Sequence, residues 1–194
     1  MNVDGVILAA GYSKRTGDFK PGLDLCGKPI LIRTIESMFE LCEKIIVVAG
    51  HKYENIYSLV SGIPKLKVVK NEHFELGMFS SVRIGLKEVQ SNRFFILPGD
   101  QPAVRTQTFQ TLLDIEDDIV IPRYKGKKGH PALFNSRLIP EILSWPDSEI
   151  LRNYIHSKNK VKIIDIDDPG IGLDVDTAED HEKIIKYYKD VFEK

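Results

Sequence analysis

The sequence predicts a three-layer α/β/α domain on a mostly parallel sheet, and three observations point there. Short apolar runs recur at Val3–Ala9, Lys44–Ala49, Leu66–Val69, Phe94–Leu97 and Ile119–Ile121. They are largely apolar rather than alternating, as expected of strands covered on both faces. Segments with helical spacing separate them, and strand–helix alternation of this kind builds parallel crossover units.

In chain order, Val3–Ala9 is the first strand, an apolar run interrupted by Asp4 and Gly5 and halted at Gly11. A polar loop carrying Lys14, Arg15 and Lys20 follows. Small residues let backbone N–H groups approach an anion closely, so such a loop can wrap a polyanion. An ordinary basic surface turn is the plainer reading. Pro29 opens a helix with Ile32, Ile35, Met38 and Phe39 on its apolar face, running through Leu41. Lys44–Ala49 is a strand ended by Gly50, and Tyr53–Val60 is a helix stopped by Gly62 and Pro64. Leu66–Val69 is a strand, and Gly77–Val89 is a helix carrying Val82, Leu86 and Val89. Phe94–Leu97 is a strand that runs into Pro98-Gly-Asp-Gln-Pro102. Thr106–Ile115 is helical and Ile119–Ile121 is a strand.

After Pro122 the rhythm breaks. Arg123–His130 reads as a polar Gly/Lys loop and Pro131–Phe134 as a short extended piece. Helices are expected at Arg137–Leu143 and Ser148–His156, divided at Trp145-Pro146. Lys160–Ile166 alternates as a strand. Thr177–Phe192 is a terminal helix opened by a capping pattern from Thr177 to Asp180. There is no internal repeat or long linker, so residues 1–194 are expected to form a single domain.

Composition narrows the function. A formal net charge of -1 argues against a nucleic-acid binder with a broad cationic face. Cys26 and Cys42 show no metal-ligand spacing and read as reduced thiols. No apolar run approaches the ~18 residues of a membrane span, and no export signal opens the chain, so a cytoplasmic, membrane-free protein is expected. The chain contains no H-E-x-x-H, G-x-S-x-G, G-x-x-x-x-G-K-[ST] or G-x-G-x-x-G pattern. His51, His73, His156 and His181 lack partner spacing and read as surface histidines.

In doubly wound sheets, ligands sit at the carboxyl ends of the strands. The post-strand loops therefore belong together: Ala10-Gly11 with the basic loop, Gly99-Asp100, and Asp174-Val-Asp176. Two carboxylate sources suit Mg²⁺, which takes one or two carboxylates plus phosphate oxygens. A triphosphate held between the basic loop and the ion is the economical inference. Ser80 and Ser81 sit at a helix start that suits a nucleotide, or a plain cap. Lys127-Lys128-Gly129-His130-Pro131 suits an acceptor phosphate, or is a solvated turn.

These residues together resemble a family. Leu8-Ala-Ala-Gly11-Tyr-Ser13-Lys-Arg15-Thr-Gly17, then Lys20, then Gly27-Lys-Pro29, is similar to the L-A-A-G-x-S-x-R-x-G…K…G-x-P signature of nucleotidyltransferases with a Rossmann-like, GT-A-like fold. The match continues at Gly77–Gly85, Gly99–Pro102, Gly129–Pro131 and Asp174–Asp180, and more narrowly resembles the molybdenum cofactor nucleotidyltransferases, cytidylyltransferase branch. The chain departs from the pattern at Thr16, Gly22 and Asp24, and Asp147–Arg152 lacks two glycines of the family motif.

The resemblance implies a Mg²⁺-dependent transfer of a nucleoside monophosphate from a triphosphate to the phosphate of molybdopterin or molybdenum cofactor, releasing pyrophosphate. Residues 1–122 would form the nucleotide half and 123–194 the acceptor half. Leu8, Ala9, Ala10, Gly11, Ser13, Arg15, Lys20, Ser80, Ser81 and Gly99 would hold the nucleotide. Arg15, Lys20 and Asp100 would act in catalysis, and Asp100 with Asp174 or Asp176 would ligate the metal. Gly129, His130 and Pro131 would meet the acceptor. Ala10, where guanylyl members carry Gly, favours CTP. GTP, or another phosphorylated acceptor, is the alternative, and a non-catalytic nucleotide or cofactor carrier is a second. A transient contact with a molybdoenzyme or its chaperone would fit the same reading.

Overall fold

The computed structural model describes residues 2–12, 19–146 and 148–192. The chain runs β1 (Val3–Ala9), β2 (Asp24–Leu25), β3 (Lys28–Pro29), α1 (Ile30–Glu36), β4 (Lys44–Ala49), α2 (Tyr53–Val60) and β5 (Leu66–Lys70). It continues α3 (Met78–Leu86), β6 (Arg93–Pro98), α4 (Thr106–Leu113), β7 (Ile119–Tyr124), β8 (Lys127–Lys128) and β9 (Ala132–Asn135). Last come α5 (Ile139–Ser144), α6 (Leu151–His156), β10 (Lys162–Asp165) and α7 (Ala178–Phe192).

The main sheet has the order β10-β7-β9-β6-β1-β4-β5, with β8 beside β7. Strands β5, β4, β1 and β6 are mutually parallel, with Val6 opposite Ile46 on one side and Ile96 on the other. Their carboxyl ends therefore open onto one edge. Strand β9 enters antiparallel between β6 and β7, and β10 pairs parallel with β7. A mixed sheet of this kind agrees with the expected three layers.

Pleating divides the apolar strand residues between two cores. Val3, Ile7, Val47, Phe95 and Leu97 pack with α1, α2 and α4. Val6, Ile46, Val48, Phe94 and Ile96 pack with α3, α5 and α6. Both faces are thus buried, which is why these strands carry no polar alternation. The exception is Asp4, buried on β1, whose carboxylate accepts from the N–H groups of Gln90 and Ser91 and from the Ser91 hydroxyl (2.8, 3.0 and 2.8 Å). A third, smaller core joins Leu25, Ile30 and Val175 to Ile184 and Tyr188 of α7. The terminal helix starts as its sequence suggests: Asp180 N–H donates to Thr177 Oγ1 and Thr177 N–H to Asp180 Oδ2, both at 3.1 Å.

Several helices are shorter than expected at their ends, and two expectations change more. The first helix stops at Glu36, and residues 37–41 continue as tighter turns. Ser37 Oγ donates to the Thr34 carbonyl at 2.7 Å, an alternative that serine offers to the helix ladder. Within Arg123–His130, β7 extends through Tyr124 and folds back as β8 over Lys125 and Gly126, both at positive φ (46° and 80°). That is the geometry of a two-residue hairpin turn. Among the described residues, no helix is long and apolar enough to cross a membrane.

Candidate active site

The carboxyl ends of β1 and β6 open into a cavity of about 450 Å³, a volume suited to a nucleotide-sized ligand. Leu8, Ala9, Ala10 and Gly11 line it from the end of β1. Phe74, Met78 and Ser81 line it from the β5–α3 side, and Lys20, Gly99 and Asp100 from the β6 side. Gly99 N–H donates to the Leu8 carbonyl at 2.9 Å, which carries the β1–β6 pairing to the lip of the cavity.

At that lip the Lys20 ammonium lies 3.0 Å from Asp100 Oδ2 and 2.9 Å from Asp176 Oδ1. Residues far apart in sequence are thereby joined through one cation. Burial works against the charge on Lys20, but the charge of Asp100 and the hydrogen bond that the ammonium donates to Asp176 outweigh it and raise its pKa. Asp174 stands beside this group and keeps solvent contact. Partial desolvation, then the charges of Asp176 and Asp100, push its carboxyl pKa up.

Asp176 reaches Asp100 because the segment before it is pinned. Val175 N–H donates to the Asp100 carbonyl at 3.2 Å. Upstream, the buried Asp168 carboxylate accepts from the N–H groups of Arg105 and Gly170 (3.0 and 2.9 Å) and from the Thr108 hydroxyl (2.6 Å). It thereby ties the turn at Pro169–Gly172 to the start of α4. Gly170 is required there by close approach, since a Cβ would lie 1.9 Å from the Ala103 carbonyl oxygen.

The Gly129-His130-Pro131 segment packs on that same turn. His130 N–H donates to the Ile171 carbonyl at 2.9 Å, and a Cβ on Gly129 would meet that oxygen at 2.2 Å. Burial drives the imidazole pKa down to about 4, with Arg152 adding to the effect and Asp100 opposing it. His130 is therefore neutral at pH 7.

Ser81 faces the cavity while Ser80, its neighbour, does not line it. The Ser80 hydroxyl is occupied locally, within 2.7 Å of the Gly77 carbonyl and 3.1 Å of the His73 carbonyl. The side chain of the buried Asn71 donates to both serine hydroxyls, at 2.8 and 3.0 Å. Ser13 and Arg15 lie outside the described residues.

Two wall residues, Tyr12 and Phe74, hold no fixed motif position and escape sequence reading. Tyr12, His51 and Phe74 form an aromatic cluster, with Tyr12 at ring-centroid distances of 5.2 Å from His51 and 5.0 Å from Phe74. His51, expected at the surface, is half-buried, and its N–H donates to the Ala10 carbonyl at 3.1 Å. Gly50, the strand-ending glycine, was the usable signal: a Cβ there would strike the Phe74 ring at 2.7 Å.

Among the described residues, no cluster of three or more His, Cys, Asp or Glu forms a complete metal cage. Asp100 and Asp176 nonetheless turn carboxylate oxygens toward one cation. Such a hard-oxygen pair suits an ion that completes its shell with phosphates and water.

Residues 5–161 match the MobA-like NTP transferase domain family. The chain is 25% identical to the molybdenum cofactor cytidylyltransferase of Escherichia coli K12 over 179 residues, which is 92% of this chain and 93% of that protein. It is also 25% identical to a probable molybdenum cofactor guanylyltransferase of Methanosarcina mazei over 71% of this chain and 65% of that one. The crystal structure of Rv0371c from Mycobacterium tuberculosis superposes with a TM-score of 0.83 at 25% identity, covering 95% of this chain and 98% of the other. Its complex with manganese gives 0.78 at 23% identity, covering 96% and 99%. With that match spanning most of the strand-and-helix framework that builds the cavity, the chain belongs to the MobA-like NTP transferase domain family and is a nucleotidyltransferase.

Proposed function

We propose that the protein transfers CMP from CTP to the phosphate of molybdopterin or its molybdenum-bound form, releasing pyrophosphate. The observation that carries the reading is the Lys20 ammonium between Asp100 and Asp176, at the lip of a cavity lined by Leu8–Gly11. A cation, two carboxylates and close backbone in one place are what a metal-bound triphosphate requires.

In the proposed step an oxygen of the acceptor phosphate attacks the α-phosphorus in line. A new P–O bond forms there while the bond to the bridging oxygen breaks, and that electron pair leaves with pyrophosphate. The acceptor is already an anion, so no covalent enzyme intermediate is needed, and catalysis is positioning plus charge stabilisation. Lys20 and Arg15 neutralise the departing pyrophosphate. Asp100 and Asp176, with Asp174 beside them, would hold a divalent ion, Mg²⁺ in this reading. When bound, that ion supplies Lewis-acid neutralisation of phosphate charge. The manganese complex of Rv0371c supports divalent-metal use by this fold. Leu8, Ala9, Ala10 and Ser81 contact base and ribose. Gly129, His130 and Pro131 meet the acceptor, where a neutral imidazole can donate or accept a hydrogen bond without adding charge.

Ala10 in the Ala-Ala-Gly turn and the nearly full-length similarity to a cytidylyltransferase both favour CTP. Transfer from GTP is the second reading, favoured by the similarity to guanylyltransferases. Pyrophosphate release, measured with molybdopterin and each of CTP, GTP, ATP and UTP, separates them. Turnover with CTP is expected. Turnover with GTP alone selects the second reading, and none with any triphosphate leaves another phosphorylated acceptor or a nucleotide-binding carrier.

A further inference from the structure

We infer that Lys20 is a resident counter-ion for the site: without nucleotide its ammonium occupies the carboxylate oxygens that a divalent ion needs, and the triphosphate, by drawing the lysine onto its phosphates, opens those oxygens to metal. This rests on the reading that Asp100 and Asp176 hold the metal.

The geometry carries it. One ammonium sits 3.0 Å from Asp100 Oδ2 and 2.9 Å from Asp176 Oδ1, and its side chain is 12% exposed. A divalent ion on those same oxygens would stand close against the ammonium, so charge repulsion sets the two against each other there. The lysine backbone is fixed in a short turn, where Leu23 N–H donates to the Lys20 carbonyl at 3.1 Å. The flexible four-carbon stem can still swing the ammonium along the cavity toward Gly11 without moving that turn. Lys20 lines the same cavity as Gly11 and Ala10, so phosphates bound there lie within its sweep.

Two consequences follow. The two carboxylates keep a cation between them in both states, the lysine without nucleotide and the metal with it. Metal and triphosphate also strengthen each other's binding, because each removes an obstacle to the other, and such coupling is reciprocal. The lysine is then more than a phosphate ligand: it keeps stray divalent ions out of the site until substrate arrives.

The test is Mn²⁺ binding to nucleotide-free protein, read by the electron paramagnetic resonance signal of free Mn²⁺. Wild type, Lys20→Met and the double variant Lys20→Met/Asp100→Asn are compared. Lys20→Met should bind Mn²⁺ roughly tenfold or more tightly than wild type, because an attracting cation has been removed from both carboxylates. The double variant should lose that gain. Equal or weaker Mn²⁺ binding by Lys20→Met overturns the counter-ion role. A gain that survives Asp100→Asn overturns instead the assignment of the metal to these carboxylates. Wild-type protein gives an independent reading by ¹H–¹⁵N NMR of lysine NH₃⁺ groups. One slowly exchanging signal, absent in Lys20→Arg, should be displaced as Mg²⁺ and CTP are added together and should persist with CTP-free Mg²⁺ at low concentration. A signal that stays unchanged when both ligands are bound contradicts the exchange.

Discussion

Acidification should weaken the fold through His130. The ordinary imidazole pKa of 6.5 falls to about 4 in the folded chain. The unfolded chain therefore binds a proton that the folded chain rejects, and stability falls as pH drops from 6.5 toward 4. Each pKa unit is worth about 1.36 kcal/mol, so the full effect below pH 4 is about 3.4 kcal/mol. At pH 5 the unfolded imidazole is almost wholly protonated and the folded one almost wholly neutral, which gives a loss of about 2 kcal/mol relative to pH 7.5. That figure is a ceiling, since the half-buried side chain keeps some water contact. Carboxylates titrate over the same range, so the reference is His130→Gln, which has no such proton. Urea unfolding followed by circular dichroism at pH 7.5 and 5.0 gives both stabilities. With a urea slope of about 2 kcal/mol per molar, wild type should lose up to about 1 M more in midpoint than the variant. Equal losses in the two proteins, or a larger loss in His130→Gln, would refute the desolvated, neutral imidazole.

Other perturbations test the arrangement around that ring. Asp100→Ala should lower metal-dependent pyrophosphate release by roughly 10²–10³ while the circular dichroism spectrum is retained, by analogy with loss of one charge-stabilising contact; wild-type turnover would remove Asp100 from the site. Asp168→Ala leaves the N–H groups of Arg105 and Gly170 and the Thr108 hydroxyl without their acceptor. It should cost about 3 kcal/mol in urea and also weaken nucleotide binding by calorimetry, because Asp176 loses its anchor. Gly129→Ala drives a methyl group to 2.2 Å from the Ile171 carbonyl oxygen, so a loss of roughly 1–3 kcal/mol is expected, and an unchanged melting temperature would contradict that packing.

The parallel half of the fold was legible because its central strands β1, β4 and β6 are buried on both faces and write largely apolar runs. The runs Val3–Ala9 and Lys44–Ala49 coincide with strands at those bounds, and the helical spacing of Tyr53–Val60 with a helix. The hairpins were not legible. Lys127–Lys128 is a strand only because it pairs with Arg123 and Tyr124, and nothing apolar marks it. Asp24–Leu25 and Lys28–Pro29 form a second such pair. At the site, the post-strand rule brought Asp100, Lys20 and Asp176 to one edge, and the structure places the three within salt-bridge distance. It distinguished Ser81 from Ser80 poorly, because both begin a helix and only the helix phase decides which faces the cavity. Phe74, Tyr12 and the Asp168 anchor went unread for a different reason. Their roles come from loops meeting in space, and aromatic or acidic residues in loops carry no periodic signal.

The nucleotide-and-metal reading of the strand edge is tested most directly by a crystal grown with CTP and Mn²⁺, with the ion located by anomalous scattering. The expected map shows one manganese peak coordinated by Asp100 and a phosphate oxygen, the cytosine in the cavity beside Ala10 and Ser81, and Lys20 turned from the carboxylates to the phosphates. A manganese peak bound away from both Asp100 and Asp176, or nucleotide outside the cavity lined by Leu8–Gly11, would contradict it.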